Sequence, residues 1–242
     1  MDKVICWFSC GVTSAVAARL ALSEFKNSEV LIYFIETGQE HPDSMRFLHD
    51  CERWFDHEIK IVRSSHYSSA WDVWENTKFL NGPTGARCTL ELKKKVRWSI
   101  EDELGTWSSQ VFGFDATERK RAVRFTEQYP KAKAVYPLIN HCLTKSECMA
   151  ILKSAGIEIP AMYSLGFPNN NCIGCVKGGM GYWNLVRKEF PDTFNRMAKL
   201  ERTIGHSCIN GTYLDELPEN LGKLPVIVPS CSLFCNTDFM DL

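Results

Sequence analysis

Residues 4–14 constrain this chain more than any other stretch. An apolar run, Val4-Ile5-Cys6-Trp7-Phe8, reads as a buried strand, and an alanine-rich segment from Ala15 to Leu22 reads as a helix. Only Ser9-Cys10-Gly11-Val12-Thr13-Ser14 separates the two. A strand feeding a helix through so short a turn aims the first-turn N–H groups, which lack helical partners, at one point. The helix dipole adds positive potential there. Ser9, Thr13 and Ser14 contribute hydroxyls, so the turn is built to hold an anion such as phosphate. The spacing matches neither Gly-x-x-x-x-Gly-Lys-Ser/Thr nor Gly-x-Gly-x-x-Gly.

The pattern continues in the same style. Residues 30–35 form a second apolar run, closed by Glu36-Thr37-Gly38, and a helix is expected from about His41 to Trp54. Residues 59–62 read as a third strand, 69–79 and 90–104 as helices, 110–114 as a fourth strand and 135–138 as a short extended piece. Thr144 and Glu147 have capping-box spacing for a helix reaching Ala155. Strands alternating with helices predict an α/β fold, a Rossmann-like parallel sheet covered on both faces. Ligands in such sheets lie beyond the carboxyl ends of the strands, which singles out the loops at 9–14, 36–41 and 113–121. After Gly156 the texture changes to Gly/Asn clusters, one long helix over 180–204 interrupted near Pro191, and a cysteine-bearing tail. We therefore expect a nucleotide-binding domain over 1–156 and a small cysteine-rich appendage over 157–242.

A net charge of −1 over 242 residues gives no general attraction to nucleic acid or to an anionic membrane. The runs Lys93-Lys94-Lys95-Val96-Arg97 and Arg119-Lys120-Arg121 read first as solvated helix faces. With no apolar run near the ~20 residues of a membrane span and no secretion signal, a soluble, cytoplasmic protein is expected. In that compartment eleven cysteines point to metal or redox chemistry rather than disulfides. Cys6, Cys51, Cys142 and Cys148 suit packing, whereas Cys88, Cys172, Cys175, Cys231 and Cys235 lie in polar or glycine-rich loops. The pair Cys172-Ile173-Gly174-Cys175 has the spacing of a metal or cluster turn.

Several of these stretches, in order along residues 4–190, resemble the phosphoadenylyl-sulfate reductase and PP-loop ATP pyrophosphatase family. Residues 9–14 resemble its Ser-Gly-Gly-x-Asp-Ser loop, with Cys10 in place of a glycine and Thr13 in place of the aspartate. Glu36-Thr37-Gly38 with Pro42 resembles its Asp-Thr-Gly…Pro segment, and Arg87-Cys88-Thr89 with Lys93 its Cys-Cys-x-x-x-Lys region. Gly113-Phe114-Asp115 with Glu118 and Arg121 resembles its Gly-Arg-Glu loop, and Tyr136-Pro137-Leu138, Ile159-Pro160, Tyr163 and Gly166-Phe167 its Pro-Leu…Ile-Pro…Tyr…Gly-Tyr stretch.

The resemblance implies an enzyme binding ATP, or phosphoadenylyl-sulfate, with Mg²⁺. Ser9, Cys10, Gly11, Val12, Thr13, Ser14 and Gly113 would surround the phosphates and Thr37-Gly38 the adenosine, with Ser9, Ser14 and Arg121 acting in catalysis. It implies a 4Fe–4S cluster on Cys88, Cys172 and Cys175, with the fourth ligand, Cys231 first and otherwise Cys235, Cys10 or none, left open. A structural Zn²⁺ on Cys172, Cys175, Cys231 and Cys235 is the alternative, and Cys10 is a further candidate ligand. Three functions stay open: adenylation of an acceptor for thiolation, reduction of phosphoadenylyl sulfate to sulfite, and a non-catalytic nucleotide-binding subunit. The acceptor (tRNA, DNA, protein or small molecule) and a homodimeric state are left open as well.

Overall fold

The computed structural model describes residues 1–83 and 85–223. It holds a five-stranded, all-parallel sheet in the order β3-β2-β1-β4-β5, formed by β1 (Lys3–Phe8), β2 (Glu29–Glu36), β3 (Ile59–Arg63), β4 (Ser109–Val111) and β5 (Ala134–Val135). The α/β class expected from the strand–helix alternation is therefore observed. β1 lies at the centre, pairing in parallel with β2 from Lys3↔Glu29 to Phe8↔Phe34 and with β4 from Val4↔Ser109 to Cys6↔Val111. Residues 4–8 and 30–35 are buried along their whole length, because a parallel sheet is covered on both faces. At the edge, β3 buries Ile59 and leaves Ile61 39% exposed.

The chain divides into two units. The first comprises Met1–Ile35, Pro42–Val62 and Ile100–Pro160, the second Glu36–His41, Arg63–Ser99 and Ala161–Leu242.

In the first unit, α1 (Val12–Glu24) lies against the sheet through Val12, Ala15, Val16, Ala17, Ala18 and Ala21. Side chains that small allow a helix to approach β1 and α7 (Lys145–Ser154) closely. α2 (Asp43–Phe55) buries Phe47, Leu48, Cys51 and Phe55. Phe47 stacks on Phe8, with ring centroids 6.3 Å apart. Arg46 ties this helix down: it pairs with Asp43 at 2.6 Å and Asp50 at 2.7 Å, and donates to the carbonyl of Glu158 at 2.9 Å.

The second unit has its own core, in which Trp71, Trp74, Leu80, Leu92, Met162, Phe167, Tyr182, Trp183 and Met197 are buried. Its helices are α3 (Ala70–Thr77), α8 (Ala161–Ser164), α9 (Met180–Glu189) and α10 (Pro191–Ile204). Pro191 at the first position of α10 ends the preceding helix, as expected.

Two local expectations are corrected. Residues 137–138 are not extended: Pro137 opens a short helix, α6 (Pro137–Asn140), because its fixed φ and missing N–H suit a first turn. The helix predicted over 90–104 begins as a π-helix, Thr89–Lys94, before continuing as α4 (Lys95–Leu104). The basic run there is also not wholly solvated, since Arg97 is 6% exposed. The remaining helix, α5 (Arg119–Gln128), follows a 3₁₀ turn at Ala116–Glu118.

Gln110 on β4 is fully buried and bridges two elements. Its Oε1 accepts from the Trp7 indole at 2.8 Å and its Nε2 donates to Glu101 at 2.8 Å. Gln110→Leu should lower stability by ~2–3 kcal/mol in urea unfolding, because the buried indole N–H then has no acceptor.

Candidate functional site

The turn after β1 is organised around one hydroxyl. Ser14 Oγ accepts from the Ser9 N–H at 3.1 Å, the Gly11 N–H at 3.2 Å and the Ser9 hydroxyl at 3.1 Å, and donates to the Gly11 carbonyl at 2.9 Å. Ser14 is 3% exposed, so these bonds are shielded from competing water. Gly11 is the N-cap of α1, in extended conformation at φ −99°.

Cys10 sits at φ +55°, in the left-handed region. The position thus has the backbone a glycine adopts freely, and a side chain there costs ~1–2 kcal/mol. The thiol is fully buried rather than exposed on the turn.

Gly113, just past β4, completes the frame for a steric reason. A Cβ there would lie 2.8 Å from Ser14 Cα and 2.9 Å from Ser14 N. Beyond it, Asp115 Oδ1 accepts from the Thr117 N–H at 2.8 Å and caps the 3₁₀ turn. Arg121 is 16% exposed; it pairs with Glu118 at 2.5 Å, and its guanidinium carbon lies 4.2 Å from the Phe114 ring centroid. Stacking and pairing hold the fork in a set orientation, unlike a mobile surface cation. Burial lowers the pKa of Lys145, with Glu118 and Asp115 opposing that shift.

In the second unit, the segment following β2 is closed by Glu40. Its carboxylate accepts from the Thr37 N–H at 3.0 Å, the Thr37 hydroxyl at 2.6 Å and the Gln39 N–H at 3.1 Å. Gly38 has φ +68°, and a Cβ there would lie 2.4 Å from the Ser68 carbonyl oxygen. A glycine is thus required by packing, in addition to any ligand. Thr37 Oγ1 also lies 3.2 Å from Cys172 Sγ, and the Ile173 N–H donates to the Gln39 carbonyl at 2.8 Å. The cysteine turn is therefore seated on the residues that follow β2.

That turn is itself pinned from below. The Tyr182 hydroxyl donates to the Cys172 carbonyl at 2.8 Å and accepts from the Cys175 N–H at 2.8 Å. Tyr182 is buried, which pushes its phenol well above its usual range and keeps it a donor. Gly178 leaves room for the ring, since a Cβ there would fall 1.9 Å from Tyr182 Cδ1. Gly174 takes the positive φ of the turn, +79°.

Cys88 precedes the π-helix and packs, half-buried, on the core that contains Cys175. The same core holds Cys208, a thiol that the sequence reading passed over. The Cys208 N–H donates to the buried Glu201 carboxylate at 2.5 Å, and Asn81 Nδ2 donates to the carbonyls of both Val176 and Cys208. Burial, with Glu201 and Cys88 nearby, raises the Cys208 thiol well above its usual range. Its place in a Ser/Gly turn after a helix was the available signal.

Cys231 and Cys235 lie outside the described residues. Among the described residues, no three His, Cys, Asp or Glu side chains stand together so as to hold a metal ion. Among the described residues the donor set is thus the two-thiol turn of Cys172 and Cys175, short of the four ligands of a complete iron–sulfur or zinc centre.

Three variants test the local geometry. Cys10→Gly should be near neutral in thermal unfolding, whereas Cys10→Val should cost ~2–3 kcal/mol, since a β-branched residue resists positive φ. Tyr182→Phe should cost about 2 kcal/mol and accelerate alkylation of Cys172 relative to Cys148, because a buried carbonyl and N–H lose their shared partner.

Residues 3–88 match the phosphoadenosine phosphosulfate reductase domain family. An uncharacterized protein of Methanocaldococcus jannaschii is 25% identical over 204 residues, 81% of this chain and 40% of that protein. The chain thus spans well under half the length of that relative. Among solved structures, phosphoadenylyl-sulfate reductase from Candida auris superposes with a TM-score of 0.51 at 13% identity, covering 71% of this chain and 82% of that one. The U34-tRNA thiolase NcsA from Methanococcus maripaludis, solved with its 4Fe–4S cluster, gives a TM-score of 0.48 at 16% identity, covering 94% and 83%. The resemblance read from the loops thus agrees with the family match over residues 3–88, and the superposition on the Candida auris enzyme shows a like fold.

Proposed function

We propose that the chain binds ATP, or a closely related adenine nucleotide, with its phosphates at the turn of residues 9–14, and activates an acceptor for sulfur transfer. The observation that carries this reading is the Ser14-centred turn at the N-terminus of α1, where N–H groups and two hydroxyls converge behind Gly113. An acceptor oxygen would attack the α-phosphorus. The bond from that phosphorus to the bridging oxygen breaks, its electron pair leaves with pyrophosphate, and an adenylated acceptor remains. Mg²⁺ accompanies the nucleotide and neutralises its outer phosphates.

In this step the protein positions groups and stabilises charge rather than forming covalent bonds. The first-turn N–H groups of α1 would meet the α-phosphate, with Ser9 and Ser14 holding the turn in shape around it through their mutual bonds. Arg121 would meet the outer phosphates with the guanidinium edge that Glu118 leaves open. The Cys172–Cys175 turn supports the sulfur-transfer part of the reading, as a place where thiol chemistry is held rigidly.

The test offers the full-length protein ATP with Mg²⁺ and, separately, phosphoadenylyl sulfate. Pyrophosphate and AMP from the first support this reading. Sulfite from the second makes the protein a reductase, and micromolar nucleotide binding without product makes it a non-catalytic subunit. Ser9→Ala should weaken ATP binding severalfold in titration calorimetry. Ser14→Ala should weaken it at least tenfold, because it removes the hub of the turn; circular dichroism would verify that both variants are folded. Iron, sulfide and zinc analysis after anaerobic purification tests the cysteine centre separately.

A further inference from the structure

The second unit contains a cavity of about 470 Å³ that none of the foregoing uses, bordered by Tyr67, Asp72, Asn76, Arg87, Glu91 and Lys95, with His66 also lining it. Its volume lies within the ~300–1,000 Å³ of small-molecule sites. One wall is the π-helix Thr89–Lys94, a rare geometry that recurs at functional sites. Glu91 on that helix has a side chain only 2% exposed and holds two cations, Arg87 Nη2 at 2.8 Å and Lys95 Nζ at 2.6 Å. Burying a carboxylate between cations adds little net stability and mainly fixes position. Here it sets a guanidinium and an ammonium on one wall.

The hydrogen-bond inventory shows what those groups can receive. Asp72 is engaged: its Oδ2 accepts from the Ser68 N–H at 2.9 Å, and its Oδ1 and its carbonyl take both hydrogens of the Asn76 amide, at 2.7 and 2.8 Å. Glu91 is occupied by its two cations. Arg87 has five donors and Lys95 three, and each meets Glu91 through one nitrogen. The Arg87 Nε–H is buried with no hydrogen-bond partner. The terminal N–H groups of Arg87 and Lys95 that do not face Glu91 are therefore the charged donors of the lining. Tyr67, packed on the core of the unit, adds an aromatic side chain against which a planar group can lie.

We propose that this cavity is a binding site for a phosphorylated nucleoside, with phosphate oxygens on Arg87 and Lys95 and the base against Tyr67. The ligand would be either a free mononucleotide or one residue of a single strand, since both present the same phosphate and base. The site lies beyond the ATP reading: none of its residues belongs to the turn of residues 9–14 or the Cys172–Cys175 pair.

The test is calorimetric titration of the full-length protein with three probes: inorganic phosphate, uridine 5′-monophosphate and a short oligouridylate. A pyrimidine is chosen to avoid competition from an adenine site. The uridine probes should bind, and Arg87→Gln or Lys95→Gln should each weaken that binding at least tenfold. Because both cations neutralise the buried Glu91, circular dichroism is used to verify that the Arg87 and Lys95 variants are folded, and Ser14→Ala should leave uridine binding unchanged. Tighter binding of the oligouridylate supports a strand as the source, and tighter binding of the monophosphate a free nucleotide. Equal binding to wild type and both cavity variants, or no binding of any probe at millimolar concentration, overturns the proposal, whatever ATP turnover is found.

Discussion

The contact between Ser14 and Gly113 is the constraint on which the architecture of the first unit turns. The Ser14 hydroxyl closes the turn after β1 through four hydrogen bonds, and Gly113 lets the end of β4 run against the backbone of the same residue. Any larger side chain at 113 would separate strand and helix, and with them the converging N–H groups. The left-handed Cys10 follows from the same tightness: so short a link between a strand and a helix demands one residue at positive φ. Strain there, of the order of 1–2 kcal/mol, is maintained by the buried strand on one side and the alanine-rich helix on the other.

A second economy of form runs through the other unit. Single polar side chains, each deeply placed, organise its loops: Glu40 gathers the residues after β2, Tyr182 spans the cysteine turn, and Glu201 holds the N–H groups of Cys208 and Leu214. Burial raises the Glu201 carboxyl while these donors lower it, a balance typical of a carboxylate retained for shape. Such groups fix loops more sharply than apolar packing alone, because an unmade bond in the interior is costly. The cysteine turn is accordingly tied through both its Cys172 carbonyl and its Cys175 N–H to a single buried hydroxyl.

Much of the sheet was legible in the sequence. Parallel strands buried on both faces must be continuous apolar runs, so residues 4–8 and 30–35 could be read directly. The edge strand at Ile59 and the two-residue β5 were less distinct, since short strands carry little pattern. The helix start at Pro137 was misread because Val135-Tyr136 before it is apolar and β-prone, and Pro is compatible with either state. The π-helix had no local signal: its extra residue per turn is imposed by what the segment packs against.

By itself the sequence determined the fold class, the strand–turn–helix at residues 9–14 and the cysteine spacing, because each depends on neighbours within a few residues. Only the tertiary structure decided that Thr37 lies on Cys172, that Cys208 shares a core with Cys88 and Cys175, and that Arg87, Glu91 and Lys95 border a cavity. It also decided that the described donors assemble no three-ligand metal site. The first two of these relations join residues 33 to more than a hundred positions apart, and the cavity joins Arg87, Glu91 and Lys95 to Tyr67, Asp72 and Asn76, at least 11 positions earlier in the chain. Periodicity and propensity carry no information about such distances, which are set when the chain buries its apolar surface and each interior polar group finds its partner.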